Sequence, residues 1–171
     1  MQVEINPSEY TVLIVDDTIA NVLLLKVLIG NQKYRIVTAG NGMEALQAVE
    51  KESPDLILLD IMMPGMNGYE VAEKLKADPQ TQEIPIIFLT ALNSTNDIVK
   101  GFKTGASDYI SKPFNKEELL IRVTHQISLI AAKRLIASQM KELQSTIRGR
   151  DRLYSVIAHD LRSPMGSLKM I

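Results

Sequence analysis

The chain's 171 residues are 46% hydrophobic and 23% charged, with nineteen basic side chains against twenty acidic ones. That is enough for one ordinary core plus an appendage, and too apolar for a disordered chain or, with nine glycines and seven prolines, for a collagen-like or low-complexity fibre. No cysteine means no disulfide framework, thiolate metal site or cysteine nucleophile, and no apolar run approaches the roughly 20 residues of a membrane span, so the expected location is the cytoplasm.

In chain order, short apolar runs alternate with helical patterns. Strands are expected at Val12 to Val15, Tyr34 to Val37, Leu56 to Leu59, Ile86 to Leu89 and, more weakly, Tyr109 to Ile110. Between the first two, Ile19, Val22, Leu23 and Val27 up to Gly30 read as a helix with an end signal; Met43, Leu46, Ala48 and Val49 read as a second. A third helix starts at the capping residue Asn67 and stops at Asp78-Pro79. A weaker fourth follows Asn93-Ser94, and a fifth begins at Asn115 with two glutamates in its first turn. Five strand-plus-helix units imply a parallel sheet covered by helices on both faces.

Charge divides the chain: residues 1–114 carry a net of minus six, residues 115–171 a net of plus five. The second part has no strand pattern and no proline from Asn115 to Ser163. Seam positions recur there at Ile136, Met140, Leu143, Ile147, Arg150, Tyr154, Ile157 and Leu161, in steps of 4, 3, 4, 3, 4, 3 and 4. That is a heptad seam. A helix from Asn115 to about Ser163 would be roughly 70 Å long, so it is expected to project and to pair with a second copy. Gly149 and Arg150 interrupt the seam's character, and the mixed-sign positive charge reads as a solvated helix face with no direct nucleic-acid contact.

Ligands of open parallel sheets sit beyond the carboxyl ends of the strands. The residues following the strands are Asp16 and Asp17 after the first, Asp60 after the third, Thr90 after the fourth, and Ser111, Lys112 and Pro113 after the fifth. Three gathered aspartates repel one another unless a cation neutralises them, and Mg²⁺ suits a site offering few carboxylates. A metal, a lysine and a hydroxyl form the kind of clamp that stabilises phosphoryl transfer, with Asp60 as a nucleophile that would become an aspartyl phosphate.

The runs Val12 to Asp17, Leu56 to Gly68 (LILLDIMMPGMNG), Ile86 to Ala91 (IIFLTA) and Gly105 to Phe114 (GASDYISKPF) resemble the receiver domain of two-component response regulators. The resemblance covers residues 10 to 130 and implies a flavodoxin-like α/β fold, a doubly wound five-stranded parallel sheet in the order 2-1-3-4-5. It further implies Asp60 as phosphoacceptor, Asp16 and Asp17 as the acidic pair holding Mg²⁺, and Met62 as a backbone-carbonyl ligand. Thr90 corresponds to the switch hydroxyl, Lys112 to the phosphoryl-pairing ammonium, Tyr109 to the switch aromatic, and Lys112-Pro113 to a cis peptide bond. The implied phosphate source is a phosphohistidine donor kinase or phosphotransfer protein, and the face of the fourth helix, fifth strand and fifth helix is the expected output surface. Met62 and Leu92, at positions flanking the attacking water, cannot orient it by hydrogen bonding, so the phosphate is expected to be long-lived.

Near the C-terminus, Tyr154 to Leu168 (YSVIAHDLRSPMGSL) resembles the H-box of histidine kinases. That likeness makes His159 a second phosphoacceptor, Asp160 its orienting acid, Ser163 the polar residue used in phosphatase action and Pro164 a helix kink. His125 has no such surroundings and reads as a surface residue. Nothing resembles the asparagine-rich and glycine-rich boxes of an ATP-binding kinase domain, so the chain is not expected to autophosphorylate with ATP. The expected organisation is a receiver domain at 1–128, a signalling coiled-coil linker helix at 129–152 and a partial histidine kinase dimerisation and phosphoacceptor segment at 153–171, the front of a hybrid sensor kinase. The alternative is a non-kinase receiver adaptor that works by phosphorylation-controlled dimerisation. Haloacid-dehalogenase-like phosphatases, which also use an aspartate after a strand, need a second aspartate where this chain has Met62.

Overall fold

The strands form where the chain has continuous apolar runs, because a strand covered on both faces hides every side chain. β1 (Thr11–Val15), β3 (Leu56–Asp60) and β4 (Ile86–Thr90) are buried along their whole length. β2 (Arg35–Ala39) and β5 (Asp108–Ser111) lie at the edges and are only partly buried. All neighbours pair in parallel and the order is β2-β1-β3-β4-β5, the order expected above. This is a computed structural model; it describes residues 4–91, 99–100 and 102–165, with side chains through residue 159.

Alternation along the strands sends Leu13, Val15, Ile57, Leu59, Ile86 and Phe88 into one core, packed by Ala45 and Val49 of α2 (Gly42–Glu52) and by Val71, Ala72 and Leu75 of α3 (Gly68–Ala77). The intervening residues Val12, Ile14, Leu56, Leu58, Ile87 and Leu89, all fully buried, belong to the opposite face. Buried residues also come from α1 (Ile19–Gly30), through Leu25 and Ile29, and from the C-terminal helix (Lys116–Met165), through Leu119, Val123 and Ile127.

Helix starts follow the capping residues. The Asn41 and Asn67 side chains accept from the backbone N–H of Glu44 and Glu70, and Asn115 accepts from Glu118 N–H at 3.0 Å. The expected fourth helix begins among residues 92–98, outside the described set; residues 99–100 and 102–103 are helical. β2 starts one residue later and ends two residues later than expected. Tyr34, assigned to that strand from its β propensity, instead buries its ring ahead of it and hydrogen-bonds Thr124.

The chain divides into two compact units between Ile130 and Ala131. The first holds the sheet and its helices. In the second, the helix continues unbroken through Gly149 and Pro164 to Met165, and among the described side chains the seam residues Ile136, Met140, Leu143, Ile147, Tyr154 and Ile157 are exposed. The side chains of Asp160, Leu161, Ser163 and Pro164 lie outside the described set. Among the described residues, no helix is long and apolar enough to cross a membrane.

Candidate functional site

Strand register brings the candidate residues to one edge of the sheet. Val15 pairs with Leu59, Asp60 with Leu89 and Thr90 with Ser111, so Asp16, Asp60, Thr90 and Lys112 all emerge where β1, β3, β4 and β5 end. Asp16 and Asp60 are buried and Asp17 is exposed at the mouth. One carboxylate oxygen from each of the three lies within 4.8 Å of the others.

Lys112 joins the two buried carboxylates. Its Nζ lies 3.0 Å from Asp16 Oδ2 and 3.0 Å from Asp60 Oδ1. The peptide bond between Lys112 and Pro113 is cis, and the Lys112 N–H donates to the Thr90 carbonyl at 2.8 Å, tying the lysine's backbone to the end of β4. Asp60 Oδ1 also accepts the Met62 N–H at 3.3 Å, so both of these bonds fall on one oxygen and leave Oδ2 out of them. Asp16 is held by the Thr18 N–H on Oδ1 at 2.9 Å and by Asn21 Nδ2 on Oδ2 at 3.2 Å.

These contacts set the charge states. Burial pushes the Asp60 carboxyl up to about 6; the Asp16 charge adds to the rise and the Lys112 bond opposes it. Burial works against the Lys112 ammonium, but its bonds to Asp60 and Asp16 outweigh that and hold its pKa above the ordinary lysine value. At neutral pH Asp60 is therefore ionised beside one fixed ammonium.

The donor set fits a hard divalent cation: three carboxylates supply oxygen only, two are held rigidly by hydrogen bonds, and the exposed third leaves room for water. Thr90 is buried at the end of β4. Tyr109, half-buried on β5, continues an aromatic row: Tyr69 meets Phe88 at 5.3 Å, Phe88 meets Tyr109 at 5.7 Å, and Tyr109 meets Phe102 at 5.2 Å between ring centroids. The expected water-flanking pair is described only at Met62, whose side chain is exposed; Leu92 lies outside the described residues. His159 belongs to the second unit and is exposed on its helix, and His125 is exposed as well.

Two supporting residues escape sequence reasoning. Asn21 steadies Asp16 from the first turn of α1, and Gly68 lets α3 begin against the Asp60 backbone. A glycine directly after a capping asparagine is the signal for the second; the first leaves none. A cleft of about 560 Å³ beside Asp17 also gains Lys100, whose Nζ sits 4.7 Å from the centre of the Tyr69 ring.

Residues 12–124 match the sequence profile described as the response regulator receiver domain. Response regulator PleD of Caulobacter vibrioides is 45% identical over 112 residues, which are 66% of this chain and 25% of that protein. DNA-binding response regulator MtrA of Mycolicibacterium paratuberculosis is 43% identical over 112 residues, covering 66% of this chain and 48% of that one. The chain thus spans a quarter to about half the length of these relatives. Among solved structures, chemotaxis protein CheY4 of Vibrio cholerae superposes with a TM-score of 0.65 at 33% identity, over 68% of this chain and 97% of that one. The signal receiver domain of a histidine kinase from Syntrophus aciditrophicus gives 0.65 at 34%, over 70% and 90%.

Proposed function

The chain belongs to the response regulator receiver domain family through residues 12–124, and on that premise we propose that it receives a phosphoryl group on Asp60 from a phosphohistidine and passes the signal along its C-terminal helix to a histidine kinase core. The observation that carries this reading is the Lys112 bridge: one ammonium, 3.0 Å from each of two buried carboxylates, placed where three strands end. A carboxylate that is buried yet ionised at neutral pH is a nucleophile with little solvation to shed.

In the transfer, an Asp60 carboxylate oxygen attacks phosphorus, the phosphorus–nitrogen bond breaks and the imidazole departs, taking a proton from solvent. Lys112 stabilises charge on the transferred oxygens, and Thr90, at the end of the adjacent strand, takes one of them as a hydroxyl donor. Asp16, Asp17, Asp60 and the Met62 carbonyl would hold Mg²⁺, which when bound neutralises the carboxylates and the peripheral phosphoryl oxygens. Drawing Thr90 toward the phosphoryl group frees space beside Phe88 that the Tyr109 ring occupies, changing the surface of β5 and the helices beside it.

The organisation we propose is a receiver at 1–128, a coiled-coil linker at 129–152 and a kinase phosphoacceptor segment from 153, working in the cytoplasm as a homodimer through the C-terminal helix. His159, exposed and set in His-Asp-Leu-Arg-Ser-Pro, is the second phosphoacceptor; exposure is what a nucleophilic imidazole requires. Intact-mass measurement after incubation with acetyl phosphate and Mg²⁺, followed by mapping of the modified residue, tests the central claim. The expected product carries one phosphoryl group on Asp60, absent in Asp60→Asn and absent without the metal. Undiminished labelling of Asp60→Asn overturns it.

A further inference from the structure

The second unit carries an apolar stripe on a solvated helix. Ile136, Met140, Leu143, Ile147, Tyr154 and Ile157 are each between 45% and 61% exposed, over a span of about 32 Å at 1.5 Å per residue. A contiguous apolar surface of that kind marks an interaction site. One member of the seam is charged: Arg150, exposed on the same helix and followed by Asp151.

We propose that a second copy of this chain covers the stripe in parallel orientation, and that the Arg150 of each copy pairs with the partner subunit's Asp151. The proposal rests on the homodimer reading above and deepens it by assigning orientation and register.

The heptad spacing supplies the geometry. The three-residue steps Met140 to Leu143, Ile147 to Arg150 and Tyr154 to Ile157 run from an a position to a d position, so Arg150 is a d residue and Asp151 the e residue after it. In a parallel pair, a d side chain packs against the d and e residues of the facing helix. Each guanidinium then meets one arginine and one aspartate, and the two cross-chain pairs form a closed ring of two positive and two negative charges. The layers on either side, Ile147 and Tyr154, remain apolar.

The antiparallel arrangement lacks this balance. With the seam from Ile136 to Leu161 fully overlapped, a and d residues share layers and Arg150 falls against Ile147 and Thr146, with Leu143 and the facing Arg150 on either side. An ammonium-like charge would be left in an apolar layer with no counter-charge, which is strongly unfavourable. A polar group at one seam position is a recognised way of selecting register and orientation at some cost in stability. His159, two residues after the d position Ile157, takes an f position in the same heptad and stays outside the parallel seam, where the structure shows it exposed.

Charge reversal on the full-length chain tests the pairing. In sedimentation equilibrium, Arg150→Glu and Asp151→Arg are each expected to weaken the dimer about tenfold, and the double variant to recover to within about threefold of the parent, a coupling that independent surface charges do not show. Leu143→Cys is expected to crosslink to itself on mild oxidation, since only the parallel arrangement faces d with d. A parent chain that is monomeric at every concentration overturns both the pairing and the homodimer reading. A dimer in which Leu143→Cys fails to crosslink, or in which the double reversal stays as weak as the single ones, overturns the orientation and ion pair alone and leaves the homodimer standing.

Discussion

Gly68, the first residue of α3, stands directly against the main chain of Asp60: a Cβ added to it would overlap the Asp60 carbonyl oxygen and the Cα of Ile61. The Gly68 N–H donates to the Ile61 carbonyl at 3.0 Å, so helix and strand end are bonded as well as touching. The place of the Asp60 carboxylate is thus decided partly by the absence of a side chain eight residues later.

Gly68→Ala should therefore act on both stability and chemistry. The obstructing atoms are backbone and cannot rotate away, so a loss of about 1–3 kcal/mol is expected, as for overpacking in a dense interior. Urea unfolding measures it, and phosphorylation by acetyl phosphate should slow in the same variant. Unchanged values for both would mean that α3 can shift without disturbing Asp60.

The raised Asp60 pKa carries a pH signature. Folding favours the protonated carboxyl, so between the ordinary aspartate value of 3.8 and about 6 the folded protein binds more protons than the unfolded chain. Stability from this group is full below about 3.8 and is lost as pH rises through 6. In metal-free buffer at pH 7.5, Asp60→Asn is expected to be more stable than the parent by about 1–3 kcal/mol, with the gap closing toward pH 4. Mg²⁺ should stabilise the parent more than the variant. Denaturant curves at several pH values, with and without the metal, check both.

Removing the ammonium pushes the same carboxyl the other way from what an ion pair does. The Lys112 bond lowers the Asp60 pKa against the rise from burial, so in Lys112→Ala the metal-free Asp60 should titrate above 6. Carboxyl carbon NMR across a pH series reads the shift directly. A value falling toward that of free aspartate would show that water enters the space and outweighs the lost charge.

At Met62 the exposed thioether offers no donor to an attacking water. Met62→Gln places an amide there and is expected to shorten the lifetime of the Asp60 phosphate about tenfold, by positioning the water for attack. Decay of the phosphorylated mass under Mg²⁺ is the measurement, and an unaltered lifetime would move control of hydrolysis to other residues.

Gly149 differs from Gly68 in having open space where a Cβ would go, with nothing within 4 Å. Gly149→Ala should raise helix stability by about 1 kcal/mol, the ordinary difference in propensity. Circular dichroism at 222 nm against temperature should show a later loss of helix signal. Should the melting stay where it was, residues beyond Ile130 unfold from a point other than Gly149.

What the sequence makes legible follows from where physics is local. β1, β3 and β4 are buried on both faces and leave unbroken apolar runs, and the asparagine caps of α2, α3 and the C-terminal helix leave a residue type at a fixed offset. The edge strand β2 leaves a blurred trace because two of its five residues are exposed and only Ala39 is buried, hence the shifted boundaries. α1 shows the limit of pattern reading. Its residues are apolar all round, Ile19, Leu23, Leu24 and Val27 being exposed while Leu25 and Ile29 are buried, so its extent is readable but not its inward side. The candidate site was legible as strand-end residues, since topology decides where those residues go. The sharing of one ammonium between Asp16 and Asp60, and the Asn21 contact, depend on side-chain placement that no spacing in the chain records.

The groups at the strand ends are far apart along the chain: Asp16, Asp60, Thr90 and Lys112 come from four separate strands or the loops after them. The stretch from Leu56 to Lys112 holds β3, β4 and the lysine but lacks β1, and with it Asp16 and Asp17. The proposed site is consequently complete only when β1, β3, β4 and the loop after β5 have all come together. On the function proposed above, a partly unfolded copy would be silent toward a phosphodonor rather than weakly responsive, so a misfolded population would lower the amplitude of phosphorylation without distorting its kinetics.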